Sequence, residues 1–178
     1  SSSSVAEGDS ALTLTATLSV ATTSDVTVAL NTSGTATESS DYSAVADISV
    51  PAGSTTGTAS FSVTDDSVYE GSETAIISMG SVSGGGASAA GSGTSATITL
   101  ADNETAPTVN LSSSSSNVIE DGTAITITAT LSGTADEAVT VPLDTSGTAT
   151  EGTDYAAISD ITVPAGSTTG TATITPTD

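Results

Sequence analysis

Residues 31–60 read NTSGTATESSDYSAVADISVPAGSTTGTAS, and residues 144–173 read DTSGTATEGTDYAAISDITVPAGSTTGTAT, the same phrase returning after 113 positions. Extended without a gap from Val5 against Val118 to Asp65 against Asp178, this register holds 37 identities in 61 positions. Such repetition marks a recurring module, and it sets the unit in which every other pattern is read. The first module is expected over residues 1–105 and the second over residues 106–178, with Thr105, Ala106 and Pro107 as a short joint. The second stops at Asp178, the counterpart of Asp65, before its last strands. A sandwich without those strands exposes unpaired edges and apolar faces. Either the chain is a window on a longer repeat array or a neighbouring chain supplies the strands by strand addition.

Inside the module, apolar residues alternate with small polar ones. Leu12, Leu14, Ala16 and Leu18 share one parity, as do Val26, Val28 and Leu30. The same holds for Ala59, Phe61 and Val63, for Ala75, Ile77 and Met79, and for Ala96, Ile98 and Leu100. Period two is the signature of a half-buried strand, and Thr suits the wet face because its branched side chain fits a pleated surface. Turn signals separate the runs: Gly34, Pro51 to Gly53, Gly71, and the stretch from Gly84 to Gly93. The fold class expected is therefore all-β, tandem antiparallel two-sheet sandwiches of the immunoglobulin-like kind, with no helix.

Charge narrows the function. The chain carries 21 Asp and Glu and no Lys, Arg or His, a formal charge of -21. Nucleic acid is excluded as a partner, since its affinity for protein rests on Lys and Arg displacing counterions, and an anionic membrane surface is excluded in the same way. No apolar run is long enough for membrane insertion. With His, Cys, Lys and Arg all missing, the common general bases, thiolate nucleophiles and phosphate clamps are missing too, and no enzyme is expected. Hydrophobic residues make up 35% and aromatics 2%, so the cores are thin; with no cysteine, disulfides cannot compensate.

The acids gather at strand ends: VAEGD (Glu7, Asp9), SSDY (Asp41), TDDSVYEGSE (Asp65, Asp66, Glu70, Glu73) and ADNE (Asp102, Glu104). Like charges about 4 Å apart repel by about 1 kcal/mol even at water's dielectric, and no basic residue exists to relieve them. A divalent cation does. Calcium takes oxygen ligands from carboxylates, carbonyls and water, whereas zinc and copper want imidazole or thiolate. Asp9, Asp25, Asp47, Asp136, Glu137 and Asp160 read instead as a solvated acidic rim.

The segments GTATESSDY, VPAGSTTGTASFSVTDDSVYEGSET and TITLADNE, in that order, resemble the Calx-beta domain. This is a calcium-binding β-sandwich first associated with sodium/calcium exchangers and common in tandem in large bacterial surface and adhesion proteins. The resemblance covers all of the first module and the available part of the second. It implies calcium ligands at Glu7, Asp41, Asp65, Asp66, Glu70, Glu73 and Asp102, a backbone ligand at Val68, and matching positions Glu120, Asp154 and Asp178 in the second copy. Ser67 and Ala101 stand where some members have further Asp residues. The ligand arithmetic suggests about two to four ions per module, and extracellular modules bind calcium at about 10⁻⁴ to 10⁻³ M.

The function expected on this reading is a calcium-stiffened structural repeat of an extracellular bacterial surface adhesin, filament or matrix protein. Its partners are calcium ions, adjacent repeats of the same chain and neighbouring chains joined by strand addition. Because Asp102 lies just before the joint, calcium is expected to stiffen the hinge to the next module. The alternative is a calcium sensor domain of a transporter or signalling protein. Other signals are weaker: the Thr-x-Thr runs at Thr13 and Thr126 are ordinary wet-face usage on a twisted sheet, and paired carboxylates lack the aromatic platform a glycosidase needs.

Overall fold

The computed structural model describes residues 2–120 and 122–178; Ser1, where the first expected module begins, lies outside the described residues. The chain forms two compact units, one of Ser1–Asp66 with Gly71–Asn103, the other of Ser67–Glu70 with Glu104–Asp178. Among the described residues there are strands and turns and no helix.

In the first unit, β1 (Ser2–Ala6), β3 (Val26–Gly34), β4 (Ile48–Val50), β7 (Glu73–Ser83) and β8 (Ser95–Ala101) form one sheet in the order β1-β8-β7-β3-β4. Across the core, β2 (Leu12–Thr17) pairs with β5 (Thr56–Phe61). Leu12 faces Phe61, Leu14 faces Ala59 and Ala16 faces Gly57, so the apolar parity of both strands points inward and Thr13, Thr15 and Thr17 point to solvent. Two packed clusters result. Val5, Tyr42, Phe61, Ile77, Ile98 and Leu100 fill one end, Val26, Val28, Ile48 and Val50 the other, and Leu14 and Leu30 touch both.

Two features depart from a plain antiparallel alternation. β1 runs parallel to β8, with Val5 opposite Leu100, while the other sheet pairs of this unit are antiparallel. Between the pairs Val28↔Val82 and Leu30↔Met79, β7 takes one more residue than β3. That bulge reverses the side-chain parity of β7, so Val82 reaches the same cluster as Met79 although the two are three residues apart.

Gly34 closes β3 at φ +128°, where a Cβ would run into the carbonyl of Thr74 on β7. Its counterpart Gly147 has φ +136° and nothing within 4 Å. Gly34→Ala is therefore expected to cost about 1–3 kcal/mol in urea denaturation, and clearly more than Gly147→Ala. Equal costs for the two would mean that backbone φ alone decides and that the approach of Thr74 is harmless.

The second unit repeats part of this plan. β10 (Ile125–Leu131) and β14 (Thr169–Ile174) pair as β2 and β5 do, β12 (Val139–Val141) pairs with β13 (Ile161–Val163), and β9 (Val109–Ser113) adds a third strand on the other edge of β10. Ala129, Leu131, Ile161 and Val163 are its buried core. The unit also holds a short parallel pair, β6 (Val68–Tyr69) with β11 (Thr134–Ala135), closed by the Asp136 N–H on the Tyr69 carbonyl at 3.2 Å. Val109, Leu111, Val118 and Ile119 are exposed.

Candidate metal centre

Glu7 follows β1, anchored by its own N–H on the Ala101 carbonyl at 3.1 Å. Its side chain is only 8% exposed, the one buried charged residue among those described. Burial pushes its pKa above the ordinary 4.5; the backbone N–H of Asp66 pulls the other way, and the nearby charges of Asp102, Asp66 and Asp65 add to the rise. Among the described residues the buried Oε2 has no hydrogen-bond partner. Glu7 and Asp102 each bring a carboxylate oxygen within 4.8 Å of the other.

The surrounding backbone builds this arrangement. The Gly71 N–H donates to Asp102 Oδ2 at 2.6 Å, tying the end of β8 to the turn that precedes β7. Asn103 Nδ2 donates to the Glu7 carbonyl at 3.3 Å and to Asp65 Oδ1 at 2.8 Å, holding the Asp65 loop beside Glu7. Gly8, at φ +74°, turns the chain against the Asp65 carboxylate. Asp41 and Glu73 come within the same 4.8 Å of each other. Asp41 is set by the Thr37 N–H on its Oδ2 at 2.5 Å and by the Thr64 N–H on its carbonyl at 2.9 Å; Glu73 opens β7. Glu7, Asp102, Asp41 and Glu73 belong to the first unit, and with no amine, guanidinium or imidazole in the chain, only an external cation supplies positive charge to them. All four donors are hard oxygens. That set, with a desolvated carboxylate oxygen lacking a donor, fits calcium.

Of the ligands implied by the sequence, the structure thus brings Glu7 together with Asp102, and Asp41 with Glu73. Asp65 and Asp66 stand outside both groups and act on Glu7 through its surroundings. Val68 lies in β6, opposite Thr134. Glu120 and Asp154 line an open cleft of the second unit with Val118, Ile125 and Tyr155. Asp154 repeats the Asp41 turn, its Oδ2 accepting the Thr150 N–H at 2.6 Å. Asp178 is exposed, and among the described residues neither it, Glu120 nor Asp154 joins a three-carboxylate group.

Several acids expected to form only a solvated rim have structural work. Asp25 Oδ1 accepts from Ala52 N–H at 2.8 Å, Asp9 Oδ2 from Ala6 N–H at 2.9 Å, and Asp47 Oδ1 from Leu30 N–H at 3.0 Å. Asp160 and Leu143 reproduce the Asp47 bond at 3.1 Å in the second repeat. These side chains satisfy backbone donors that the strand ladder leaves open.

The raised pKa of Glu7 has a sign that can be measured. Protonated Glu7 is favoured by the fold, so its contribution is fully present below the ordinary 4.5 and is lost as pH climbs through the raised value. In chelator the melting temperature of the first unit is expected to fall from about pH 4 to pH 7, and Glu7→Gln to flatten that fall. A wild-type curve that rises over this range, as ordinary carboxylates produce, would contradict the burial described.

A family model described as the Calx-beta domain matches residues 1–104 and again 102–178. Among solved structures, the chain is similar to the calcium binding domain CBD12 of CALX1.1, with 17% identity and a TM-score of 0.51, over 99% of this chain and 73% of that one. It is likewise similar to CBD12 from CALX1.2, with 21% identity, a TM-score of 0.51, and coverage of 99% and 72%. At these identities the likeness speaks for the fold. No curated protein matches the chain.

Proposed function

This chain belongs to the Calx-beta domain family, and from that premise we propose that it is a calcium-binding tandem module, without catalytic chemistry, that takes the metal at the loop end of its first repeat. The observation that carries the proposal is Glu7, a buried carboxylate with an oxygen that no donor among the described residues reaches, set beside Asp102. Glu7 and Asp102 would help hold one ion, and Asp41 and Glu73 another. Calcium supplies the positive charge that the chain's own composition omits.

We favour a calcium-responsive regulatory module of a larger protein. One solved structure of similar fold is named a calcium binding domain, and the other carries the same CBD12 label. The second reading, an extracellular strut of an adhesin, filament or matrix protein, draws support from 37 identities in 61 positions between the repeats and from a chain with no Lys or Arg. That reading carries the surface localisation, the joint at residues 105 and 106, and association of neighbouring chains by strand addition. Calorimetric titration of the full chain separates the two, because sensors bind at about 10⁻⁷ to 10⁻⁵ M and extracellular modules at about 10⁻⁴ to 10⁻³ M. Glu7→Gln and Glu73→Gln should each remove one class of sites; heat of binding unchanged in both variants would defeat the assignment. Scattering with and without chelator tests whether calcium stiffens the joint.

A further inference from the structure

β1 and β8 run parallel, with Ser2 to Ala6 opposite Thr97 to Ala101 in unbroken register. The pairing continues past both strands. The Glu7 N–H donates to the Ala101 carbonyl at 3.1 Å, and Asn103 Nδ2 donates to the Glu7 carbonyl at 3.3 Å. A tight turn then ends β1: the Asp9 N–H donates to the Ala6 carbonyl at 3.2 Å, and Asp9 Oδ2 accepts the Ala6 N–H at 2.9 Å. Val5, Ile98 and Leu100 are 5%, 1% and 3% exposed, so the core seals one side of this ladder against water.

Strand direction gives this ladder a mechanical meaning. Tension carried along the chain enters the first unit at the Ser2 end of β1 and leaves it at the Ala101 end of β8. Because the strands are parallel, those two points lie at opposite ends of one ladder, and the strands are drawn past each other along their own axes. Every bond of the ladder is then stretched at once. In an antiparallel pair the same tension would enter and leave at one end and open the bonds singly. A hydrogen bond contributes only about 0.5–1.5 kcal/mol net, so bonds taken in turn resist little and bonds taken together resist much more. β2, β3, β4, β5 and β7 lie between β1 and β8 in sequence, and tension reaches them only after the pair has parted.

We propose that β1 and β8 form a clamp that makes the first unit load-bearing, its parallel ladder holding tension along the chain in shear. The clamp is built from backbone bonds and from the packing of Val5 with Ile98 and Leu100 in one core cluster. It needs no metal, so it stands whether the module regulates a larger protein or spaces one.

The chain has no cysteine, so one introduced thiol fixes where force is applied. Two variants of the full chain share a handle ahead of Ser1 and differ in the second attachment: Thr105→Cys lies just past the far end of β8, and Ser95→Cys opens β8 at its near end, both at exposed positions. Single molecules are pulled in chelator, which separates the result from metal binding. Thr105→Cys loads the ladder in shear, whereas Ser95→Cys peels it. The rupture force should be at least about twofold higher for Thr105→Cys, because several bonds share the load in one geometry and one bond carries it in the other. Its rupture should also be a single step that frees about 330–360 Å, the reach of about a hundred extended residues. Equal forces in the two geometries, a higher force for Ser95→Cys, or a Thr105→Cys trace that lengthens in small steps at low force would each overturn the proposal.

Discussion

Excess calcium is expected to raise the melting temperature of the first unit by more than about 10 °C over the same chain in chelator. A ligand present at about 10 to 100 times its dissociation constant stabilises by about 1.4 to 2.7 kcal/mol per site, and the first repeat holds two carboxylate groups. A kilocalorie per mole moves the midpoint of a domain this size by about 4–8 °C. The metal also removes a cost, since Glu7 is charged and desolvated beside Asp102, Asp66 and Asp65 without it. Sodium chloride at matched ionic strength separates binding from screening. Salt at 0.1 M largely screens exposed charges more than about 10 Å apart but has little grip on a buried carboxylate. If sodium chloride reproduces the whole shift, or if the melts in calcium and chelator superimpose, the acids are a screened rim and the metal centre is refuted.

Phe61→Ala should be the most damaging single substitution in the core, at about 3–5 kcal/mol. The chain has one Phe, three Tyr and no Trp, so few side chains carry much of the buried volume. Phe61 is fully buried and stacks on Tyr42 with ring centroids 5.0 Å apart. Tyr42 in turn follows Asp41 and bridges to Val63, so the stack is tied to the turn that carries Asp41. Losing the ring should therefore weaken calcium binding at the Asp41 group as well as lower the urea midpoint. Its counterpart Ile174 is half-exposed and packs against less, so Ile174→Ala should cost markedly less. Equal losses for Phe61→Ala and Ile174→Ala would show that the stacked pair has no special share of the stability.

Much of this fold could be read directly. Alternation located β2, β5, β7 and β8 because each buries a single face, and a single face is what period two reports. β1 escaped that reading, since SSSVA offers one strong apolar residue and its parallel place beside β8 depends on partners about a hundred residues away. The bulge that turns Val82 inward is equally invisible, being a property of two strands together. At the site, the order of acids names the loops that carry them. It does not say which acids meet, because Asp65 and Asp102 share one chemistry and only Asp102 comes within 4.8 Å of Glu7 in a carboxylate group. Nor could it show that Glu7 is buried, which depends on how the loops around the end of β1 close.

The pairing of β6 with β11 bears on how this molecule should be cut. Four residues, Ser67–Glu70, belong structurally to the second unit although they lie far upstream of its other segment. An excision at the repeat boundary, yielding residues 104–178 alone, would leave Thr134 and Ala135 without the neighbour they pair with and the Asp136 amide without its acceptor. The autonomous fragment is therefore not the one that a ruler laid along the alignment would choose.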